Sequence, residues 1–473
     1  MTGFVLNHVG SLKARLGSGV TILTDPDDAV FHEHAKRWSD IDRMTPAAIV
    51  LPVSEEQILK TVQWAVEFKV PFVTKSGGHS TWSTIDRHGI VIDLTRYAGI
   101  DVDVEKKQAT LKGSILSKEV SVALADARLF TALGNGNPVG AIPYFLGGGA
   151  SIVTSAIGYG SDQIVSARLV DARGRMIEVT EEKEPDLLWA LRGAGQFFGL
   201  VTELVVKAYP TSILGNDQGT IWTGAFVFPL SRAKEVTSVM KTLMDDGSKA
   251  TAGLVMIMAP PPKHQPALVV AARYTGTAED AKVAYTPLHD LQPLVATGQP
   301  VPIQNASDGR DAFNAKGDFK RFATVGLHHF DEAAFLQVIQ IWKDMIQECP
   351  DAINTSFNFQ WDARFAPTPP FDSANSLHDI RYWQNNFVWY KNDASGAKVD
   401  EYNEQAIRLM RGTDQSKYVD FQNATRTGPV ALRFRGDGKV ERLRAMKRKW
   451  DPEGVFCKQL LDDEHAEQAA LYD

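Results

Sequence analysis

A six-residue segment, Lys75–Ser80, combines a histidine with two adjacent glycines directly after a predicted strand. Gly77 and Gly78 can adopt positive φ and allow a bound group to approach the backbone closely. Their amide N–H groups can form a concave nest for an anion such as a pyrophosphate. His79 would then lie at the rim of the nest, where its imidazole could act as a nucleophile. An ordinary strand-to-loop turn ending in a surface histidine explains the same residues equally well.

A second segment, 133–149, has six glycines within sixteen residues. It begins Leu-Gly-Asn-Gly-Asn-Pro-Val-Gly and ends in three consecutive glycines. This glycine content disfavours a helix start and is typical of backbone that lies against a flat or charged ligand. A merely flexible loop explains it less well, because several residues between the glycines are apolar and should be buried: Val139, Ile142, Tyr144, Phe145 and Leu146.

Two further glycine-containing segments, 159–164 and 192–202, lead into predicted strands. The glycines of the second follow the pattern G-x-G-x-x-x-G, after a helix and before a strand. A dinucleotide-binding fingerprint has a different spacing and the reverse context, so we exclude a Rossmann site there. The sequence has no P-loop, H-E-x-x-H or G-x-S-x-G motif. Phosphoryl transfer, zinc-dependent hydrolysis and α/β-hydrolase chemistry therefore lack their usual signals.

The first 210 residues alternate between predicted strands and helices, which would position these four segments. Ser54 is expected to cap a helix, and Gln57 completes a capping box. The turn at 172–174 separates two apolar stretches and predicts a β-hairpin. The strands are expected at 47–51, 70–74, 89–94, 108–111, 164–171, 175–180 and 199–208, with later helices at 116–128 and 187–191.

The pattern of predicted strands and helices changes after Pro210, which predicts a second domain built on a mainly antiparallel sheet. Its strands are expected at 221–228, 253–258, 267–272 and 322–327, and its helices at 232–244 and 331–347. The tail from about Ala424 has no core of its own and should pack back on the first domain. We therefore expect a first domain at 1–211, a second at 212–423 and a C-terminal segment at 424–473.

Bulk composition excludes several classes of protein. The chain has 473 residues, is 44% apolar and 23% charged, and carries a formal net charge of −7. It therefore lacks a broad electrostatic footprint for nucleic acid or an anionic membrane. The basic stretch 439–449 places apolar residues at helical spacing, which indicates an amphipathic surface helix. Cys349 and Cys457 make neither a disulfide framework nor a zinc site, so no metal is expected.

The N-terminal twenty residues lack the continuous apolar region of a signal peptide, and no later segment approaches the length of a membrane-spanning helix. We therefore expect a cytoplasmic protein without membrane or nucleic-acid partners, unless the chain begins after processing. The sequence does not indicate an oligomeric state.

The four segments, in this order, resemble the vanillyl-alcohol oxidase/p-cresol methylhydroxylase (PCMH-type) superfamily of FAD-binding flavoproteins. The closest likeness is to its berberine-bridge-enzyme-like branch of FAD-linked oxidases. The resemblance covers 47–210 and resumes at 442–456, which is similar to the family's C-terminal signature. It implies an α+β fold of two domains: a PCMH-type FAD-binding domain and a cap domain, built on an antiparallel sheet, that binds the substrate.

The resemblance also implies which residues would bind FAD. His79 matches the histidine that bonds to the 8α carbon of the flavin. The pyrophosphate and ribityl path would be lined by Lys75, Ser76, Gly77, Gly78, Ser80, Pro138, Val139, Gly140, Tyr144, Gly147, Gly148 and Gly149. The adenine half would contact Gly160, Asp162, Ile164, Gly199 and Val201. Peptide dipoles rather than many lysines would hold the phosphates.

Two positions depart from the pattern of many relatives. Such relatives attach the flavin a second time, through a cysteine that aligns with Gly136 here. The resemblance therefore implies a single attachment, through His79. Tyr144 stands where relatives often have a histidine near the flavin pyrimidine. It is either a hydrogen-bond donor there or a packed aromatic residue.

The resemblance implies Tyr144, Tyr418 and Asn423 as catalytic candidates. Tyr418 and Asn423 lie just upstream of the C-terminal signature, where relatives place a flavin-facing tyrosine–asparagine segment, and Asn423 would also contact the cofactor. Four other polar residues are possible proton acceptors, although such residues are more often structural: Tyr390, Asp420, His328 and His329.

The implied reaction is hydride transfer from an alcohol or amine C–H of a small organic molecule, such as a secondary metabolite, to FAD. Molecular oxygen would then be reduced to H₂O₂. A dehydrogenase of the same fold that uses another electron acceptor is an alternative, although the small Val139 favours oxygen access. A non-redox binding or ring-forming protein on the same scaffold is another, because fold does not fix chemistry. The sequence does not identify the substrate.

Overall fold

The computed structural model describes residues 2–80, 82–413, 418–420 and 430–456 of the chain. Its strands are β1 (Thr21–Leu23), β2 (Ala48–Leu51), β3 (Phe72–Lys75), β4 (Ile90–Asp93), β5 (Ala98–Asp103), β6 (Gln108–Gly113), β7 (Leu129–Phe130), β8 (Ile164–Val170), β9 (Met176–Val179), β10 (Leu200–Lys207), β11 (Tyr209–Pro210), β12 (Thr220–Pro229), β13 (Thr251–Met258), β14 (Ala267–Tyr274), β15 (Val295–Pro302), β16 (Phe319–Leu327), β17 (Phe357–Asp362), β18 (Tyr382–Tyr390) and β19 (Tyr418–Asp420). Its α-helices are α1 (Thr2–Leu16), α2 (Ala29–Ala35), α3 (Glu55–Glu67), α4 (Ser117–Asp126), α5 (Ala141–Leu146), α6 (Thr154–Ile157), α7 (Pro185–Ala194), α8 (Ala233–Asp245), α9 (Ala278–Ala284), α10 (Thr286–Asp290), α11 (Glu332–Glu348), α12 (Gly396–Arg411), α13 (Val430–Arg433) and α14 (Lys439–Trp450).

A four-stranded sheet near the N-terminus has the order β1-β2-β4-β3. β2, β4 and β3 are parallel, and β1 pairs antiparallel with β2. Ser54 Oγ accepts the Gln57 N–H and caps α3 as predicted, but the Gln57 side chain accepts the Val53 N–H rather than that of Ser54. Ligand sites of parallel sheets form beyond the carboxyl ends of strands. Lys75 ends β3, so the segment Lys75–Ser80 leaves the sheet at such an end.

A second sheet is antiparallel and has the order β5-β6-β10-β8-β9. β8 and β9 form the predicted hairpin, with Val170 opposite Met176. Helices α5, α7 and α14 share one apolar core with this sheet, which includes Phe145, Trp189 and Leu443. Helix α14 is therefore amphipathic, as predicted, and joins the core of the first 210 residues. The predicted domain boundaries near 211 and 424 are compatible with this packing and stay a prediction.

The largest sheet has the order β15-β12-β14-β13-β17-β18-β16-β19, and all its neighbouring strands are antiparallel. Helices α8, α11 and α12 pack on one face of it. Side chains alternate between the two faces of a strand. In β17, Phe357, Phe359 and Trp361 point into the helix-covered core, so Asn358 and Asp362 belong to the opposite face. These features confirm the predicted α+β fold with an antiparallel cap sheet.

Several elements were not predicted from the sequence, among them strand β15 and a short 3₁₀ helix. Strand β15, Val295–Pro302, contains Gly298 and two prolines, Pro300 and Pro302, which disfavour a strand interior. It nevertheless pairs with β12 along its length, at the edge of the sheet, where proline is tolerated because one side of the strand needs no partner. The polar connection 305–318 contains a 3₁₀ helix, Asp308–Asn314.

Among the described helices, none combines the length and the apolar character needed to cross a lipid bilayer.

Candidate functional site

The first two glycine segments touch each other backbone to backbone. A Cβ atom added at Gly77 would lie 2.3 Å from the carbonyl oxygen of Pro138 and 2.8 Å from the amide nitrogen of Gly140. A Cβ atom at Gly140 would lie 2.2 Å from Ser76 Oγ. Glycine is therefore required at both positions by close approach, and Gly78 is required by its φ of +73°. The two loops form one continuous cradle, which the sequence could not show.

His79 lies at the end of this cradle with both ring nitrogens shielded from solvent. Neither nitrogen forms a hydrogen bond of ordinary geometry with a described residue, although the Gly77 backbone and the Asn314 side chain lie nearby. Desolvation is the main cause that lowers the pKa of its imidazole to about 4, and the nearby charge of Lys320 also lowers this pKa. Polar contacts with the Gly77 backbone and the Asn314 side chain act to raise the pKa, but they are weaker. The imidazole is therefore neutral at physiological pH. Buried polar atoms normally have partners, so two unpaired nitrogens indicate a site made for another group.

An aromatic cluster holds the His79 ring in place. The Trp38 ring stacks on it with centroids 5.7 Å apart, and stacks on Phe322 at 5.4 Å. The Trp38 indole N–H donates to the Phe313 carbonyl at 2.8 Å. Lys320 Nζ lies 5.4 Å from the Trp38 ring centroid, within range of a cation–π contact. These residues come from distant segments, so no local sequence pattern could have identified them.

Lys75 has its charge already satisfied inside the protein. Its ammonium lies 2.9 Å from Asp93 Oδ2 and also donates to the carbonyl oxygen of His34. His34 Nδ1 is 3.0 Å from the same carboxylate oxygen. Burial acts to raise the pKa of Asp93, but the His34 hydrogen bond and the Lys75 charge outweigh it and lower that pKa to about 2. The Lys75 side chain is thus already paired within the protein, and its cofactor contact stays a prediction.

Tyr144, in α5, is enclosed by glycines. Cβ atoms added at Gly134, Gly149 and Gly160 would lie 2.8, 2.9 and 3.2 Å from its ring carbons. Its hydroxyl is buried and has no partner among the described residues, and burial raises the pKa of that hydroxyl well above its ordinary value. The hydroxyl therefore stays protonated and has a hydrogen to donate, and its contact with a cofactor stays a prediction.

The third segment joins the second through backbone hydrogen bonds. Gly160 N–H donates to the Gly149 carbonyl and Ser161 N–H to the Gly148 carbonyl, each at 2.8 Å. Asp162 accepts the Tyr159 N–H at 2.8 Å and lies 3.0 Å from His378 Nε2, which comes from the loop before β18. The structure therefore brings the first three predicted segments together along one path.

Three predicted adenine contacts lie within the core of the five-stranded sheet. Ile164 and Val201 are buried there, and a Cβ atom at Gly199 would lie 2.6 Å from Leu169 Cδ1. The Arg192 guanidinium donates to the Ile164 carbonyl at 2.9 and 3.0 Å. Their cofactor contacts stay a prediction.

The predicted catalytic residues near the C-terminus are only partly placed. Tyr418 begins β19, where its backbone pairs with Leu327. Asn423 lies outside the described residues. Of the four further candidates, Tyr390 points into the helix-covered core and stacks on Phe319 at 5.2 Å, which is a structural position. His328 and His329 are exposed directly after β16, and Asp420 pairs with Val325.

The face of the cap sheet that its helices do not cover, called the open face below, carries a carboxyl group that is buried against the first 210 residues. The sequence did not reveal this group. Asp362 is 8% exposed and accepts a hydrogen bond from Ser155 Oγ at 3.2 Å. Burial raises the pKa of this carboxyl to about 7, although the charge of Arg273 opposes the shift. The open face therefore contacts α6 through Asp362, whose carboxyl changes its protonation state near neutral pH.

Asp362→Asn is expected to reduce the pH dependence of stability. Because the folded-state pKa lies above the ordinary value near 4, the carboxyl favours folding most at low pH and loses that contribution as pH rises through 7. The variant lacks this loss, so its free energy of unfolding should rise relative to wild type by about 2–3 kcal/mol between pH 5 and pH 8. Urea unfolding at both pH values measures the difference.

Asp101→Asn is the matched control, since the Asp101 side chain is 71% exposed. Its stability difference from wild type should be the same at both pH values. A pH-independent difference for Asp362→Asn would contradict the raised pKa.

Comparisons with known proteins agree on one family. Residues 46–180 match the FAD binding domain family. The FAD-linked oxidoreductase hasG of Aspergillus fumigatus is 30% identical over 459 residues, covering 93% of this chain and 96% of that protein. BBE-like 1 of Physcomitrella patens has a TM-score of 0.80 at 17% identity, covering 95% of this chain and 98% of that one. The glucooligosaccharide oxidase of Acremonium strictum, with a 6-S-cysteinyl, 8α-N1-histidyl FAD, has a TM-score of 0.78 at 21% identity, covering 95% and 98%. The two structural likenesses confirm the predicted PCMH-type fold.

The residues of the site fit an FAD. The loops that touch at Gly77 and Gly140 leave backbone rather than side chains along the cradle, as a close-fitting cofactor requires. The unpaired nitrogens of His79 and the unpaired hydroxyl of Tyr144 are buried polar atoms that a bound flavin could satisfy.

Proposed function

Because the chain belongs to the FAD-linked oxidoreductases, we propose that it is an oxidase that holds FAD through one covalent bond to His79. The observation that carries the proposal is the His79 ring: neutral, positioned by Trp38, and unpaired at both nitrogens beside the glycine cradle. A neutral imidazole nitrogen has a free electron pair for a bond to the 8α carbon of the flavin. That bond would replace a C–H bond, with loss of a proton, and the two electrons released would pass to molecular oxygen. The proposed substrate is a small organic molecule, such as a secondary metabolite, with an oxidisable alcohol or amine C–H.

The proposed attachment is single. In the Acremonium strictum enzyme the FAD is bound through a cysteine as well as a histidine. The family resemblance places Gly136 where many relatives have such a cysteine, and a Cβ atom there would lie 2.7 Å from Val139 Cγ2 and 3.1 Å from Asn314 Oδ1. Cys349 is buried within the core of the cap, away from this loop, and Cys457 lies outside the described residues.

Each group of the chain has a defined task in this proposal. When bound, FAD would supply the acceptor for a hydride from the substrate. The N–H groups of Gly77 and Gly78 would hold the diphosphate, and the Tyr144 hydroxyl would donate a hydrogen bond to the cofactor. The open face of the cap sheet would exclude water from above the reacting carbon. Tyr418 stays the proposed partner for the substrate proton, and Asn423 stays a proposed catalytic residue that would hydrogen-bond the substrate or cofactor.

The rate of covalent attachment is expected to be nearly independent of pH between 6 and 8. At pH 6 a histidine with an ordinary pKa near 6.5 is only about one quarter neutral, whereas His79, with a pKa of about 4, is almost entirely neutral. Apoprotein from a flavin-deprived host should therefore bond added FAD at rates that agree within about 1.5-fold across this range. In-gel flavin fluorescence of denatured samples follows the reaction. A roughly fourfold slower rate at pH 6 would show that the ring titrates normally.

Flavin reoxidation distinguishes an oxidase from a dehydrogenase. The holoenzyme is reduced anaerobically with dithionite and then mixed either with aerated buffer or with an artificial electron acceptor. We expect rapid recovery of the yellow absorbance in air, with formation of H₂O₂. Recovery only with the artificial acceptor would identify a dehydrogenase. A flavin that no alcohol or amine substrate bleaches would instead support a non-redox role on this scaffold.

A further inference from the structure

Arg273 lies on the open face of the cap sheet, where its positively charged side chain is buried. It lies in β14 and is 5% exposed. Its Nη1 donates to Asn135 Oδ1 at 3.1 Å, and its Nε has no partner among the described residues. Asn135 directly precedes Gly136, so this guanidinium reaches the glycine segment that borders His79.

A second arginine, Arg310, comes from the connection that leads into β16. Arg310 is in the 3₁₀ helix Asp308–Asn314, and its carbonyl oxygen accepts a hydrogen bond from Asn314 Nδ2 at 3.1 Å. Desolvation and then the charge of Arg273 lower the pKa of Arg310 to about 9. The two positive charges therefore repel each other in a region of low polarity. No ion pair to either arginine occurs among the described residues.

The charges of this region do not balance. Asp362 is the acidic side chain that offsets Arg273, and its own pKa of about 7 means that it is only partly ionised at neutral pH. In the helix of Arg310, Asp308 pairs with Lys118 and Asp311 accepts a hydrogen bond from Asn137, and neither forms an ion pair with Arg310. Burying a charge without a full counter-charge is costly, so the buried Arg273, with its unpartnered Nε, and the partly buried Arg310 indicate that an anion binds there.

The position of the two arginines separates this anion from the cofactor's phosphates. Asn314 approaches both Gly136 and His79, which places its helix and Arg310 at the histidine end of the cradle. In the proposed complex that end meets the uncharged dimethylbenzene edge of the flavin. The diphosphate would lie further along, at the N–H groups of Gly77 and Gly78. The missing negative charge therefore belongs to the substrate.

We propose that Arg273 and Arg310 bind a carboxylate of the substrate, so that the enzyme selects acidic molecules and presents their alcohol or amine carbon beside the flavin. The planar guanidinium suits a carboxylate, because two N–H groups can donate to its two oxygens. This inference rests on the proposed function, since it takes the space between the two arginines and the histidine end of the cradle to be the oxidation site.

Calorimetric titration of the oxidised holoenzyme with benzoate and with benzamide tests the carboxylate site. The two probes have similar shape, and only benzoate carries a negative charge. We expect benzoate to bind about tenfold or more tightly than benzamide. Arg310→Gln should abolish this preference without changing the affinity for benzamide. Arg273→Gln should do the same, and Arg273→Lys should retain part of the preference. If Arg273→Gln fails to fold, Arg310→Gln alone decides.

Arg364→Gln is the matched control, because Arg364 is exposed on the cap and its guanidinium donates to the carbonyls of Gly247 and Ser248. It should bind benzoate like wild type. Equal binding of the two probes, or an unchanged benzoate preference in Arg310→Gln, would overturn the inference. So would loss of FAD from Arg310→Gln, because the arginine would then serve the cofactor. Covalent flavin and air reoxidation, measured on the same preparations, report separately on the proposed function.

Discussion

Replacing His79 by alanine is expected to convert the flavin from a covalent to an extractable cofactor. The imidazole is the one buried nucleophile that the structure places, without a hydrogen-bond partner, at the end of the described glycine cradle. The backbone nest of Gly77 and Gly78 remains in His79→Ala, so FAD should still bind. After acid precipitation the flavin should appear in the supernatant, whereas the wild-type pellet stays yellow. Substrate oxidation should slow if the covalent bond tunes the flavin.

His88→Ala is the matched control for this experiment. His88 is exposed and contacts Asp86 at 2.9 Å, outside the cradle. Its flavin should remain in the pellet. A yellow pellet from His79→Ala would mean that another residue forms the bond.

Replacing Gly77 by alanine is expected to prevent FAD loading. The added methyl group would lie 2.3 Å from the Pro138 carbonyl oxygen and 2.8 Å from the Gly140 nitrogen. Both are backbone atoms, so neither can move aside as a flexible side chain would. The two loops must separate, which destroys the cradle and costs about 1–3 kcal/mol of stability. The ratio of flavin to protein absorbance and urea unfolding measure the two effects.

Gly309→Ala provides the comparison, because an added Cβ atom at Gly309 would meet nothing within 4 Å. It should load FAD fully and unfold like wild type. Full loading of Gly77→Ala would show that the close contact at Pro138 is not needed for cofactor binding.

Local patterns in the sequence predicted those parts of the fold that depend on neighbouring residues. The hairpin of β8 and β9 follows from its short turn, and the buried stripe of α14 follows from helical spacing. Strand β15 was missed because its glycine and prolines are tolerated only at a sheet edge, and edges are decided by the whole sheet. The Gln57 side chain likewise accepts the N–H of Val53 instead of that of Ser54, its predicted capping partner.

The candidate site shows the same division. Glycine-rich segments predicted the two loops that meet at Gly77 and Gly140, since close backbone approach leaves a compositional signature, and the role of His79 stays a prediction. The partners of these residues come from elsewhere in the chain: Trp38 stacks on His79, and Asp93 takes up the charge of Lys75. Arg273 carried no local signal either, because an arginine in a strand is usually exposed, and only the assembled fold shows that it is buried.

Mass spectrometry of peptides from the denatured wild-type protein tests the central claim most directly. The account predicts that FAD stays with the protein through denaturation and proteolysis, and that one peptide, containing His79, carries the whole flavin mass. Fragmentation should place that mass on the histidine. Free FAD released on denaturation, or a flavin bonded to a residue other than His79 or to two residues, would contradict it.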